Sequence, residues 1–267
     1  MRIRKSLPLA GLLLLLSLAL VPAAFAQSAT AKVRVVHASP DAPAVDVWVD
    51  GSKVLTGVTF FTASSYLDLP AGAHHFQVTP AGAGADKAVI DANATLDAGK
   101  AYTVAATGQL ANIKPTILVD NLAAPAAGKA HVRVVHASPD APAVDVKVQG
   151  GPTLISNLAF PNASQYLPVD AGTYNLVVTP AGSETVALDL SGTTLEAGKI
   201  YDIFAVGLLN GQPKLRVEVT TPPPMTGAMP AGMPSTGGAT LPLELLALAA
   251  AALLLTGGGL ALQRRAR

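Results

Sequence analysis

Val33 to Val47 reads VRVVHASPDAPAVDV, and Val132 to Val146 reads VRVVHASPDAPAVDV again, identical at all 15 positions and displaced by 99 residues. The following stretches, Trp48 to Phe61 and Lys147 to Phe160, agree only at Val49, Gly51, Leu55 and Phe61 of the first copy. Agreement then returns: Tyr66 with Tyr166, Ala71-Gly72 with Ala171-Gly172, Thr79-Pro80-Ala81-Gly82 with Thr179-Pro180-Ala181-Gly182, and Tyr102 with Tyr201. A period near 100 residues is too long for a solenoid, whose units run to roughly 20–50 residues, so the pattern predicts a tandem of independent modules.

Within each copy, short runs rich in Val, Thr, Ile and Tyr alternate with Gly, Pro, Asp and Asn. The runs 32–36, 45–49, 75–79, 102–106 and 116–119 read as strands, and their spacing predicts a β-sandwich. In Val45-Asp46-Val47-Trp48-Val49-Asp50 the period of two puts the valines on one face and Asp46, Trp48 and Asp50 on the other. The expected architecture is all-β: two tandem sandwiches of Ig-like or transthyretin-like type at 31–122 and 130–219, followed by a C-terminal transmembrane helix.

The repeated HASPDAPAVDV segment resembles a family of secreted prokaryotic β domains, domain of unknown function 4397, over both modules. The resemblance implies surface-displayed β-sandwich modules and supplies no catalytic residues.

The ends carry other signals. Arg2, Arg4 and Lys5, the apolar run from Leu7 to Val21 and Ala24-Phe25-Ala26 form a secretory signal at 1–26, with an uncleaved anchor as the alternative. Leu241 to Leu262 spans 22 residues, about 33 Å as a helix and long enough to cross a bilayer core. Arg264, Arg265 and Arg267 at 263–267 place that end in the cytoplasm. The segment 220–240 is a Pro-rich stalk. Within it Met233-Pro234-Ser235-Thr236-Gly237 resembles the Leu-Pro-x-Thr-Gly sorting signal of Gram-positive surface proteins, with Met in place of Leu. That resemblance implies a sortase-like transpeptidase as partner and cleavage between Thr236 and Gly237; the other reading is a chance match in a stalk before a permanent anchor. The expected location is the bacterial cell surface, single-pass anchored or wall-attached, with the modules outside.

Zero cysteines exclude disulfides, thiolate metal sites and cysteine nucleophiles. The whole-chain charge is +1, but Gln27 to Thr236 carries 12 basic and 16 acidic side chains. A mildly acidic exported part excludes electrostatic binding to nucleic acid.

The candidate loop site comprises His37, Ser39, Asp41 and Asp46, and again His136, Ser138, Asp140 and Asp145. Its plainest reading is a rigid crossing between sheets, with the histidine bonded to backbone or to Asp41 and Asp46 satisfying loop amides. Sharper readings are a Ser-His-Asp hydrolase, disfavoured by Pro40 after Ser39 and the lack of a nucleophile elbow, a zinc or iron site, or a calcium site on Asp41, Asp46 and Asp50. His74-His75 has Tyr174-Asn175 in copy two, so it is not a property of the module and is expected on a strand surface. Trp48, replaced by Lys147 in copy two, is a candidate ligand contact. No catalytic residue and no resident cofactor are assigned, with Ca2+ the one ion in view. The expected function is a surface-anchored, non-enzymatic display, adhesion or ligand-binding protein whose partners would be wall polymer, matrix or surface protein. A metal-dependent extracellular hydrolase or a structural spacer are the alternatives.

Overall fold

A computed structural model of the chain describes residues 29–225. The secretory signal, the Met233–Gly237 motif, the apolar segment 241–262 and the basic tail therefore lie outside the described residues. Among the described residues no helix is long and apolar enough to cross a membrane.

Module 1 consists of β1 (Thr30–His37), β2 (Val45–Val49), β3 (Ser52–Val58), β4 (Leu67–Pro70), β5 (Gly72–Pro80), β6 (Ile90–Leu96), β7 (Ala101–Thr107) and β8 (Lys114–Asp120). Module 2 repeats it with β9 (Lys129–His136), β10 (Val144–Val148), β11 (Thr153–Leu158), β12 (Leu167–Asp170), β13 (Gly172–Pro180), β14 (Leu188–Leu195), β15 (Ile200–Val206) and β16 (Arg216–Thr220). Each module holds two four-stranded sheets, ordered β4-β1-β7-β8 and β3-β2-β5-β6 in the first and β12-β9-β15-β16 and β11-β10-β13-β14 in the second. All pairings are antiparallel except β1 with β7 and β9 with β15. All five strand runs expected from the sequence lie within strands.

Those parallel central strands are buried on both faces, which is why β7 and β15 read as near-continuous apolar runs, while β1 and β9 set a buried arginine between their valines. In β1, Val33 and Val35 point into the sandwich, where they join Val47, Phe76, Val78 and Val104. The intervening Arg34 and Val36 point the other way. There Val36, Ala38 and Ala105 of module 1 form one apolar cluster with Val135, Ala137, Phe204 and Val206 of module 2.

This overturns the expectation of independent modules: the sheets bearing β1 and β9 pack against each other, and the described residues fall in one compact unit. The physical reason is that a strand apolar on both sides needs a second surface to cover it. The connecting segment joins the seam as well, with Leu122 buried beside Ala101 and Ile200 and packed by Tyr66 and Tyr166.

Candidate functional site

The repeated segment runs from β1 or β9 into a loop that crosses to β2 or β10. Pro40 and Pro43 fix their own φ and hold the preceding residues extended, so the loop is stiff. At its start the His37 amide donates to the Thr62 carbonyl at 3.1 Å and the Ala38 amide to that of Ala106 at 2.9 Å. His37 Nε2 lies 2.9 Å from the Pro43 carbonyl, and His136 Nε2 lies 2.9 Å from that of Pro142. A carbonyl only accepts, so both rings carry their proton on Nε2. Burial pushes both histidines below their ordinary range, which keeps them neutral.

The serines do not face these rings as nucleophiles. Ser138 Oγ donates to the Gly207 carbonyl at 2.8 Å and lies 3.4 Å from Asp140 Oδ1, while it is the Ser138 backbone amide that lies 3.4 Å from His136 Nδ1. Ser39 is fully buried. At 0% exposure for His37, Ser39 and Ser138, a substrate has no approach to either pair.

The carboxylates are occupied separately. Asp41 Oδ1 accepts the Leu110 amide at 2.8 Å, and Asp140 accepts the Leu209 and Asn210 amides at 2.7 and 2.9 Å, tying the loop before β2 or β10 to the loop after β7 or β15. Partial burial works against the Asp140 charge, but those amides outweigh it and hold the carboxyl below its usual range.

Asp46 accepts the Gly57 and Gly82 amides at 2.9 and 3.0 Å and pairs with Lys53 Nζ at 2.6 Å. Asp145 does the same with the Asn157 and Gly182 amides, at 2.8 and 3.0 Å. Asp46 leaves the apolar core, and the chain around Gly57 and Gly82 closes over it, leaving 2% exposed.

Asp50 bonds His74 and the His75 amide, so Asp41, Asp46 and Asp50 answer to three different sets of donors. Among the described residues no group of three or more His, Cys, Asp or Glu side chains is placed to hold a metal. Nor do both residues of the His74-His75 pair lie on the surface. His75 does, bonded to Asp91, whereas His74 is 8% exposed, because neighbours on a strand point to opposite sides.

Trp48 is half-buried: its Nε1 donates to Thr79 Oγ1 at 3.2 Å, and Lys53 Nζ covers its ring 4.8 Å from the centroid. In module 2, Lys147 reaches instead to the Ser183 carbonyl and Glu184, and the Thr179 hydroxyl is left without a partner.

The Lys53 ammonium and two backbone amides hold the Asp46 carboxyl at about 2, well below its ordinary 3.8. A depressed carboxylate stabilises the fold above its unfolded value and ceases to do so as pH falls through its folded value. The chain should therefore lose stability on acidification from about pH 4 towards 2. In Asp46→Asn that part of the acid limb should flatten, as read by urea midpoints across the pH series.

A different set of polar groups converges at the seam between modules. Arg34 on β1 bonds Asp202 of β15, Thr103 Oγ1 at 2.8 Å and Thr220 Oγ1 at 3.1 Å. Arg133 on β9 bonds Asp202 Oδ1 at 2.8 Å and Asp120 Oδ1 of β8 at 2.6 Å. Asp120 also accepts the hydroxyls of Tyr66 and Thr103, each at 2.6 Å. Both guanidinium side chains are 3% exposed and both carboxylates fully buried. The Tyr66 and Tyr166 rings cover Arg34 and Arg133, 5.3 and 4.5 Å from the centroids. Burial works against the Arg133 charge, but Asp202 and Asp120 more than offset it and raise its pKa. Burial first, then Asp120, pushes the Tyr66 phenol up, so it stays a donor.

The family model for "Domain of unknown function (DUF4397)" matches residues 31–147 and 130–229, the first match running on through the second copy of the repeated segment. The chain belongs to the DUF4397 family. No curated protein matches it. Among solved structures it is similar to the C-terminal domain of AlgF from P. aeruginosa, with 23% identity over 35% of this chain and 98% of that one and a TM-score of 0.27. It is also similar to the Bacillus anthracis TIE protein, with 11% identity over 67% of this chain and 34% of that one and a TM-score of 0.23. A candidate cell adhesion protein from Parabacteroides distasonis ATCC 8503 shows 10% identity over 73% and 98% of the two chains, with a TM-score of 0.19. At these scores none of them bears on function.

In this DUF4397 chain the seam was the part sequence reasoning missed. Its signal was present: an arginine in the middle of an apolar run, repeated as Arg34 and Arg133, and Asp202 in the apolar run of β15. A charge inside such a strand is buried only with a partner. Concavities of two kinds occur among the described residues. An apolar one of about 50 Å3 lies inside module 2, too small for the several hundred Å3 of a typical ligand site. A groove of about 530 Å3 runs along the seam, bordered by Arg34, Ser64, Tyr66, Thr220 and Pro222.

Proposed function

We propose that this chain is a cell-surface display protein, in which a two-module β body on a stalk presents loops and a seam groove to a polymer or protein outside the cell, without catalysis of its own. The observation that carries this reading is how the repeated segment uses its polar atoms: His37, Asp41 and Asp46, with their copies His136, Asp140 and Asp145, fasten backbone, and the histidines are closed to solvent. A hydrolase would need the opposite: an exposed nucleophile in reach of a base, or open ligands converging on a metal that activates water. The signal at 1–26 and the segment 241–262 support export and attachment, with a sortase-like enzyme acting at Thr236 as one route to the wall.

The test compares cells carrying the full chain with cells lacking it for retention on immobilised wall polysaccharide, matrix protein and a lawn of the same cells. Retention above the deletion strain on at least one surface is expected. Equal retention on all three, together with hydrolysis by the purified full chain that disappears in His136→Ala, would replace this reading by the enzymatic one.

A further inference from the structure

His74, on β5, stands where three parts of module 1 meet. Its Nε2 lies 2.7 Å from the carbonyl of Pro70, the last residue of β4 in one sheet. Its Nδ1 lies 2.6 Å from Asp50 Oδ2, in the turn after β2 of the other sheet. The second Asp50 oxygen accepts the His75 amide at 2.9 Å, and the Asp50 amide donates to the His75 carbonyl at 2.9 Å.

Neither acceptor of the His74 ring can supply a proton. A carbonyl has none, and the donors around Asp50, the His75 amide first and His74 second, hold its carboxyl below the usual range and therefore ionised. Both ring nitrogens must then donate, which only the imidazolium can do. The His74 side chain is 7% exposed, and the Asp50 side chain it meets is 54% exposed. Asp50 is the charged group facing it from the turn; from β5 the Phe76 ring sits 6.3 Å away, and the neighbouring His75 points to the other face, onto Asp91.

Module 2 keeps one of the two ties, and makes it without a titratable imidazole. Tyr174 takes the place of His74, and its hydroxyl donates to the Asp170 carbonyl at 2.8 Å, just as His74 donates to Pro70. Gln149 stands in the turn where module 1 has Asp50, and its amide likewise donates to the Asn175 carbonyl at 2.8 Å. One module thus carries a titratable two-sided clamp, and the other only a fixed bond from Tyr174 to the end of β12.

We propose that His74 is a proton-operated clamp, closed as imidazolium between Asp50 and Pro70, whose deprotonation frees the β2–β3 turn from the β4–β5 crossing in module 1 alone. Bonding to the Pro70 carbonyl, then to Asp50, raises its pKa above the ordinary 6.5 against the opposing effect of burial. A histidine raised in the fold stabilises it fully below its unfolded value, and that contribution goes as pH rises through the folded value. The clamp is therefore closed in mildly acidic surroundings and opens on the alkaline side, with its acid limit set by protonation of Asp50.

Nitrogen NMR of the full chain labelled at histidine tests this directly. At pH 6 both His74 ring nitrogens should be protonated, with a midpoint above the ~6.5 of a free histidine. Across that midpoint the His75 amide should lose about tenfold in exchange protection beyond the intrinsic rate, the size expected for one charge-assisted bond, while Asn175 in module 2 should not. His74→Tyr should abolish this loss, and Asp50→Asn, which keeps the ring but removes the charge, should lower the midpoint. A single protonated nitrogen at pH 6, a midpoint at or below 6.5, or a His75 exchange profile unchanged in both variants would overturn the proposal.

Discussion

Asp202→Asn is expected to destabilise the folded chain by about 3–5 kcal/mol, the cost of breaking a buried ion pair from one side. Asp202 is the carboxylate to which both arginines hydrogen-bond, Arg34 from module 1 and Arg133 from module 2, whereas Asp120 is bonded by Arg133 and lies 3.8 Å from Arg34. With both carboxylates ionised the cluster is neutral, two guanidinium groups against Asp120 and Asp202. Removing one charge leaves two buried cations on one carboxylate. The full chain unfolded in urea should show its midpoint lowered by that amount. A change below about 1 kcal/mol, the level of an exposed pair, would mean the cluster is solvated and does not hold the modules together.

Phe204→Ala should cost a similar 3–5 kcal/mol, as large-to-small changes at closed aromatic sites do. Phe204 is fully buried between the modules, against Val36, Ala38 and Ala105 on one side and Val135 and Val206 on its own. The Phe61 ring meets it edge-on at 5.3 Å. Both neighbours are sheet strands that cannot collapse into the space, so the void should persist. Phe204→Leu, which keeps most of the volume, should cost distinctly less. Equal, small losses for both substitutions would indicate that the seam already lets water in.

These two residues belong to the part of the protein that the sequence conveys least. The strands themselves were legible, because Val45-Asp46-Val47-Trp48-Val49 alternates and β1 and β9 are valine-rich runs bounded by turn residues. What covers each strand face was not. Alternation put Asp46 on the side away from the core, correctly, yet whether that side meets solvent depends on where the chain around Gly57 and Gly82 returns, and local periodicity carries no information about that. The same limit hid the seam. A strand buried on both sides announces that something packs on it, but not that the partner is the second copy 99 residues away.

The uneven match between copies has a physical reading in the fold. The 15 identical residues begin in strands closed on both faces and continue into loops fixed by His37 or His136 and Asp41 or Asp140, where most side chains have a defined neighbour. The stretch after Val47 and Val146 includes β3 and β11, whose side chains are mostly exposed, and there the copies differ freely. The candidate site is legible in the same terms: its residue types were visible, but a His, a Ser and two Asp within ten positions can either converge on a substrate or fasten a loop, and only the backbone partners separate these.

Two DUF4397 modules packed as one body through the Arg34–Asp202–Arg133–Asp120 seam should unfold together. Trp48, the only tryptophan, lies in module 1, so its fluorescence reports that module alone, whereas circular dichroism reports both. In urea the two signals should follow a single transition, and Asp202→Asn, a change in module 2, should move the Trp48 midpoint as far as it moves the dichroism. A Trp48 transition that stays in place while the dichroism splits into two steps would contradict it.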